Sequence, residues 1–209
     1  MNIDRGTCWY NPMCHEEMIR GANGELWPVL EKSLHWPVLK ELLDIIPKMG
    51  GKKQLLDVGC GAGCLGGLVN KKFLYSGVDL PEVIENVAEN VNPSQRYIKF
   101  DVTSGEDMSF MYHYDVIVMN AFIDIMQDPM NILCDILDQC RDYVIIHRQF
   151  IIGSPTKVKT ANSYGGTTFI SYINELDFNV AKKHFHVVKK LGTGLGADNY
   201  SFLLQRFKK

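Results

Sequence analysis

The sequence predicts an α/β fold: a seven-stranded sheet with helices on both faces, an antiparallel last strand and an N-terminal helical cap. Three observations predict it. From residue 54 onward, short apolar runs alternate with segments of helical spacing, the pattern of a largely parallel sheet covered by helices. The first run ends in Asp57 and a glycine turn, Gly59-Cys60-Gly61-Ala62-Gly63. A strand, a glycine turn and a helix together make a nucleotide-binding corner, because glycine takes φ > 0 and lets the backbone approach a ligand. The last two runs, His186–Leu191 and Tyr200–Phe207, are joined by the turn Gly192-Thr-Gly-Leu-Gly196. That leaves no room for a crossover helix, so the final strand runs antiparallel.

Each element follows from its own residues. Residues 1–51 carry all three tryptophans, Trp9, Trp27 and Trp36, and helical spacing over Leu26–Ile46 broken by Pro28 and Pro37. They read as two or three short helices capping one end of the sheet. Pro47 and Gly50-Gly51 close this segment, and residues 52–209 form the sheet domain. Its strands are Gln54–Val58, Tyr75–Leu80, Arg96–Asp101, Tyr114–Met119 and Tyr143–His147, then the terminal pair. Tyr114–Met119 is a nearly continuous apolar run, as expected of a buried parallel strand. Helices fall at Cys64–Lys72, at Glu82–Val91 behind Pro81, at Asp128–Gln139, and at Tyr172–His184. The last of these places Ile173, Leu176, Val180 and Ala181 on one face. Gly153–Thr168 reads as a long loop on the substrate side, either a lid or a plain mobile loop.

Composition excludes several classes. A chain of 209 residues with 46% hydrophobic and 22% charged residues supports one core. A net charge of −2 gives no footprint for nucleic acid. No apolar run approaches the roughly 18 residues that span a bilayer, and Met1-Asn-Ile-Asp-Arg-Gly lacks a signal-peptide core. A cytoplasmic enzyme that binds neither membrane nor nucleic acid is the expectation. The six cysteines contain no C-x-x-C and read as free thiols of a reducing compartment. Cys8, Cys14 and His15 lack a further ligand pair at metal spacing, so no metal is expected.

Charge at the glycine corner selects the ligand. A pyrophosphate would be repelled by Asp57, whereas the ammonium and sulfonium of S-adenosylmethionine would be attracted. The rival is a dinucleotide, since Gly61, Gly63 and Gly66 spell G-x-G-x-x-G, with Asp79 18 residues beyond Gly61. Against it, a dinucleotide strand runs apolar straight into its first glycine, and the chain is short for a cofactor domain plus a substrate domain. Asp57, Asp79, Asp101 and Asn120 all fall at or just past strand ends, which gathers four polar groups on the rim where such sheets bind ligands.

The motifs Leu56-Asp57-Val58-Gly59-Cys60-Gly61-Ala62-Gly63, Gly77-Val78-Asp79-Leu80, Phe100-Asp101-Val102 and Tyr114-Asp115-Val116-Ile117-Val118-Met119-Asn120 together resemble the class I S-adenosylmethionine-dependent methyltransferases. The resemblance covers about residues 52–207. Its fold is Rossmann-like, with the terminal antiparallel hairpin as hallmark. Residues 120–133 look like the corresponding stretch of ubiquinone-methylase-type, small-molecule enzymes, and a more distant likeness is to bacterial methyltransferases of surface-polysaccharide loci. The resemblance implies that Asp57 and the Gly59, Cys60, Gly61 and Gly63 backbone hold the methionine part of S-adenosylmethionine. It implies that Asp79 accepts the ribose hydroxyls and that Asp101 and the Val102 amide read the adenine edge, with Leu80 against its face and Asp107 as the competitor of Asp101. Asn120 and Ala121 would lie near the methionine. The run Asn120-Ala121-Phe122-Ile123 lacks the two prolines of nucleic-acid and protein amine methylases, which points to a small-molecule acceptor methylated on oxygen or nitrogen.

Three residues are candidates for handling that acceptor. His147 is the candidate general base, against the alternative of a structural strand-end histidine. Arg148 is a candidate for an acidic substrate, and Tyr164, in the loop, for substrate contact. Trp9 and Tyr10 read as aromatic core or as a cover for the pocket. Two other functions stay open: a catalytically degenerate S-adenosylmethionine-binding regulator and, less favoured, an NAD oxidoreductase.

Overall fold

A computed structural model describes residues 7–47, 52–163 and 166–208. The sheet opens with β1 (Lys53–Val58), β2 (Phe73–Asp79), β3 (Arg96–Lys99), β4 (Val116–Asn120) and β5 (Tyr143–Ile152), and the chain ends in β8 (Phe185–Gly192) and β9 (Asn199–Arg206). These seven strands run in the order β3-β2-β1-β4-β5-β9-β8. β1 to β5 pair in parallel, and β9 is antiparallel to both β5 and β8. The seven-stranded Rossmann-like sheet with its antiparallel last strand is therefore present.

Two more strands stand where the sequence suggested a loop. β6 (Lys157–Ser163) and β7 (Gly166–Asn174) form an antiparallel hairpin, and β7 pairs in parallel with Phe150–Ile152 of β5. The expectation of a long loop over Gly153–Thr168 is thereby corrected: most of the segment is regular sheet. Tyr164 lies outside the described residues. β5 also runs past its expected end at His147. A bulge between Ile146 and Gln149 interrupts its pairing with β9, and Arg148 within it has φ 68°. Bulges of this kind bend a strand and re-aim a side chain.

Side-chain alternation along the strands feeds two cores. Leu56, Val58, Ile117, Met119, Val144 and Ile146 face α6 (Pro129–Gln139) through its Ile132, Leu133, Ile136 and Leu137. Leu55, Val116, Val118 and Ile145 face the other way, onto α3 (Cys64–Val69) and α2 (Trp36–Ile45). Leu39, Leu42 and Leu43 of α2 are buried in that second core. So α2, expected in the cap, packs as a layer of the sheet itself. The cap proper is a 3-10 turn (Thr7–Tyr10) and α1 (Pro12–Ala22), whose Met18, Ile19 and Ala22 lie on Ala62, Val83 and Val87. Asn11 caps α1 by accepting from Met13 N at 3.0 Å.

The connection after β2 is helical throughout: α4 (Pro81–Val83), a π turn (Ile84–Ala88) and α5 (Glu89–Val91). The last helix, α7 (Glu175–Ala181), is shorter than expected. β7 runs on to Asn174, which caps α7 by accepting from Leu176 N at 2.8 Å. This start shifts the helical phase: Phe178 is buried, while Leu176 and Val180 are 73% and 68% exposed, and Ile173 is a strand residue. The expected apolar face is therefore corrected as well.

Candidate functional site

A cleft of about 1520 Å³ opens at the carboxyl ends of β1, β2, β4 and β5. The glycine turn forms its floor. Gly59, Gly61 and Gly63 have φ of 71°, 52° and 68°, a region that L side chains occupy only at a cost. A Cβ on Gly59 would sit 2.2 Å from Phe122, so the turn and the chain after β4 touch only because glycine stands there. Asp79 anchors the turn. Gly61 N–H donates to its Oδ2 and Leu80 N–H to its Oδ1, each at 2.8 Å. A carboxylate has about four lone-pair positions, so each oxygen keeps acceptor capacity toward the cleft, which Asp79 lines. Loss of water pushes the Asp79 carboxyl up to about 6.

Gly59, Cys60, Gly61, Asp79, Leu80, Asp101, Val102, Asn120, Ala121 and Arg148 all line this cleft. Asp57 and Gly63 are not among its lining residues. Asp57 is buried behind the turn, where Tyr75 Oη donates to its Oδ2 at 3.0 Å while Oδ1 has no donor. Burial first, and then the nearby Asp79 charge, raise it to about 7 against the Tyr75 bond. Gly63 is the N-cap of α3, and a Cβ there would lie 2.2 Å from Tyr97 Oη. Asp101 Oδ1 accepts from Thr103 N at 2.8 Å and Thr103 Oγ1 at 2.7 Å. Asp107 also borders the cleft; it is exposed, and its Oδ1 and Oδ2 each accept one hydrogen bond from Ser109. Among the described residues, Ala121, at φ 50°, is the other non-glycine besides Arg148 with positive φ. Two such positions at one cleft mark it as the place where strain is held.

A family model described as methionine biosynthesis protein MetW matches residues 38–189. The chain belongs to the MetW family. No curated protein sequence matches it. Among solved structures, the 1,6-didemethyltoxoflavin-N1-methyltransferase of Burkholderia thailandensis, with bound 1,6-didemethyltoxoflavin and S-adenosylhomocysteine, is similar over 96% of this chain and 90% of that one, at 15% identity and a TM-score of 0.62. An amino pentose methyltransferase of Micromonospora echinaspora, bound to S-adenosylmethionine, covers 84% of this chain and 92% of its own at 12% identity and a TM-score of 0.61. The magnesium protoporphyrin IX methyltransferase of Synechocystis PCC 6803, with S-adenosylhomocysteine, covers 92% and 87% at 14% identity and a TM-score of 0.54. At these identities the likeness is one of fold, and the fold is that of class I methyltransferases.

In this MetW-family chain His147 does not line the cleft. It is 1% exposed, and both ring nitrogens are engaged: Nδ1 with Ser201 Oγ at 2.6 Å and Nε2 with His35 Nδ1 at 3.1 Å. The expectation of a base at His147 is corrected to a structural histidine. The sequence placed it at a strand end, but β5 continues past it and β9 covers it. His35 does line the cleft, and its Nε2 faces Arg148 Nη1 at 3.4 Å. Guanidinium only donates, which sets the direction of the whole array. His35 Nε2 accepts, His35 Nδ1–H donates to His147 Nε2, and His147 Nδ1–H donates to Ser201. Both rings are neutral. Burial and then Arg148 lower His35 to about 4, and burial, His35 and Arg148 lower His147 to about 2. The carbonyl of Arg148 accepts from Asn199 Nδ2 at 3.2 Å. The array thus fixes Arg148 at the cleft from its backbone and its side chain. Ser201→Ala is expected to leave the His147 N–H without an acceptor and to cost about 1–3 kcal/mol. Urea unfolding measures this, and a stability equal to wild type would remove the directed array.

Other lining residues carry no motif: His35, Phe122, Asp124 and, from the β6–β7 hairpin, Thr168 and Phe169. The hairpin is tied down by Ser171 Oγ donating to Ile123 O at 2.7 Å. At Gly166 a Cβ would meet the Cys8 backbone at 2.7 Å, so glycine lets the cap pack on the hairpin. His15 Nε2 lies 2.9 Å from Trp9 O, and Cys8 and Cys14 are buried free thiols. Among the described residues no helix is long and apolar enough to cross a membrane.

Proposed function

We propose that this chain is an S-adenosylmethionine-dependent methyltransferase acting on a small molecule at oxygen or nitrogen, in the cytoplasm and without a nucleic-acid partner. The observation that carries the reading is the Asp79 clamp: one carboxylate holds the glycine turn through two backbone N–H groups and offers its remaining lone pairs to the cleft. That set suits two adjacent ribose hydroxyls. Asp101 with the Val102 amide, and Leu80 beside them, suit an adenine ring. Asp57, Gly59, Cys60, Gly61, Gly63, Asn120 and Ala121 form the methionine end. Asp57 acts there from behind the turn, as a buried negative charge without a cation of its own. The fit is to a ligand with a diol and positive charge, not to a pyrophosphate.

Bound there, S-adenosylmethionine supplies an electrophilic methyl group. The task of this chain is to align an acceptor with it and exclude water, which is worth up to about 7–11 kcal/mol. Arg148, fixed by His35 and Asn199, orients an anionic part of the acceptor, and the β6–β7 hairpin walls the acceptor side; Tyr164, outside the described residues, is kept as a candidate substrate contact. With His147 buried, no histidine of β5 serves as base, and this observation favours a second reading, a regulator that binds the cofactor without transferring methyl.

Titration calorimetry with S-adenosylmethionine, S-adenosylhomocysteine and NADH tests the assignment. Micromolar binding of the first two and none of NADH is expected. Binding without methyl transfer to any component of a cell extract would select the regulatory reading, and binding of NADH alone would overturn both.

A further inference from the structure

Asp124 lies in the 3-10 turn Ile123–Ile125 after β4 and lines the cleft together with Asn120 and Phe122. Its Oδ1 is shut off from water and has no hydrogen-bond donor, and the Oδ1 of Asn120 is in the same condition. A buried carboxylate oxygen without a donor is costly unless a partner arrives. Burial prevails and raises the carboxyl to about 6, although Arg148 from a distance and the residue's own backbone N–H favour the charged form. Two residues four apart thus line one cavity, and each keeps one acceptor oxygen without a donor. The torsion that turns a carboxylate is soft, so either oxygen of Asp124 can meet a ligand in the cleft. A hydroxyl would bring one proton to this pair, an anion would bring repulsion, and an ammonium brings three N–H donors and the missing charge.

We propose that the cleft takes a protonated amine, its ammonium held by Asp124 and Asn120, so that the methyl acceptor is an amine. For transfer, one N–H proton would pass to the Asp124 carboxylate, and the freed lone pair would form the N–CH3 bond as the S–CH3 bond of S-adenosylmethionine breaks and S-adenosylhomocysteine leaves. With Arg148 at the same cleft, an amine that also carries an anionic group fits both poles. The acceptor assignment rests on the methyltransferase reading above; the amine site itself does not.

The test uses the full chain saturated with S-adenosylhomocysteine and three small probes, ethanolamine, ethylene glycol and glycolate, in competition-free titrations at pH 7.5. Ethanolamine is expected to bind at least about tenfold more tightly than either of the others. Asp124→Asn is expected to bring ethanolamine down to the level of the glycol while S-adenosylhomocysteine affinity stays within twofold. Without ligand, the same variant is expected to melt higher than wild type at pH 7.5, and by less at pH 5, because it removes a carboxylate that burial penalises when ionised. Ethanolamine binding no better than ethylene glycol, or equally well to Asp124→Asn, overturns the amine site. So does a variant that melts lower than wild type, which would make Asp124 a structural anchor. If S-adenosylhomocysteine itself fails to bind wild type, the methyltransferase reading falls, and the three probes still decide the amine site on the ligand-free chain.

Discussion

Asp79→Ala is expected to weaken S-adenosylhomocysteine binding by at least about a hundredfold. Two hydrogen bonds from ribose hydroxyls to a carboxylate are each worth about 1.5–3 kcal/mol, and every 1.4 kcal/mol is about tenfold in affinity. The substitution also strips the acceptor from Gly61 N–H and Leu80 N–H, so the glycine turn loses its anchor as well as its ligand contact. The two losses separate with the 2′-deoxy analogue of S-adenosylhomocysteine. On wild type the analogue is expected to bind about tenfold or more below the parent; on Asp79→Ala the two are expected to bind alike, because the missing hydroxyl has no partner left. A melting profile of Asp79→Ala that stays cooperative guards against global unfolding. Affinity within threefold of wild type would end the ribose assignment, and a persisting preference for the parent on the variant would move the hydroxyl contact elsewhere.

Much of the scaffold was legible because periodicity and turn chemistry agree there. Leu55 and Leu56 point to opposite cores in a run that reads as a buried strand, and Gly59, Gly61 and Gly63 all have the positive φ that their spacing suggests. The short turn Gly192–Gly196 between two apolar runs left no choice but a hairpin. The misreadings have physical causes. His147, Arg148 and Gln149 interrupt an apolar run with polar side chains, so β5 looked finished. In the fold His147 and Arg148 occupy a bulge, and Gln149, Phe150, Ile151 and Ile152 resume the strand.

The β6–β7 hairpin had a signal of its own: β-branched and aromatic residues from Thr167 to Ile173, preceded by Tyr164-Gly165-Gly166. Its polar partner, Lys157–Ser163, masked it. The last helix was read one turn too early, because Ile173 fits a helical stripe as well as it fits a strand. Only Asn174, a good N-cap, marks the true start. At the site, the placement of residues at strand ends was legible, such as Asp79 at the end of β2 on the cleft. His35 and Asp124 were not. Their roles arise from the docking of α2 against β5 and from the turn after β4, contacts between segments far apart in sequence. His35 and His147 meet across 112 positions, which no local pattern encodes.

Cofactor affinity is expected to rise steeply with pH, by on the order of a hundredfold between pH 5 and pH 8, and then to level off. Burial raises Asp79 to about 6 and Asp57 to about 7, so both carboxyls are largely protonated at pH 5. The proposed ligand prefers them ionised, since ribose hydroxyls donate to carboxylate and the sulfonium and ammonium are cations. Binding therefore expels protons, and affinity must increase with pH until both groups are ionised without help. S-adenosylhomocysteine keeps the hydroxyls and the ammonium but lacks the sulfonium, so its curve is expected to be shallower. Folding stability is a poor readout of the same groups. A carboxyl raised in the fold stabilises it at low pH, and that contribution fades as pH rises through the folded value. The neutral His35 and His147, lowered in the fold, oppose this, because stability is lost as pH falls through the unfolded histidine value near 6.5. Calorimetry in two buffers of different ionisation enthalpy reads the proton directly: release near pH 6 is expected, vanishing above about pH 8. Affinity that is flat from pH 5 to pH 8, or proton uptake on binding, would show that neither carboxylate faces the positive end of the ligand.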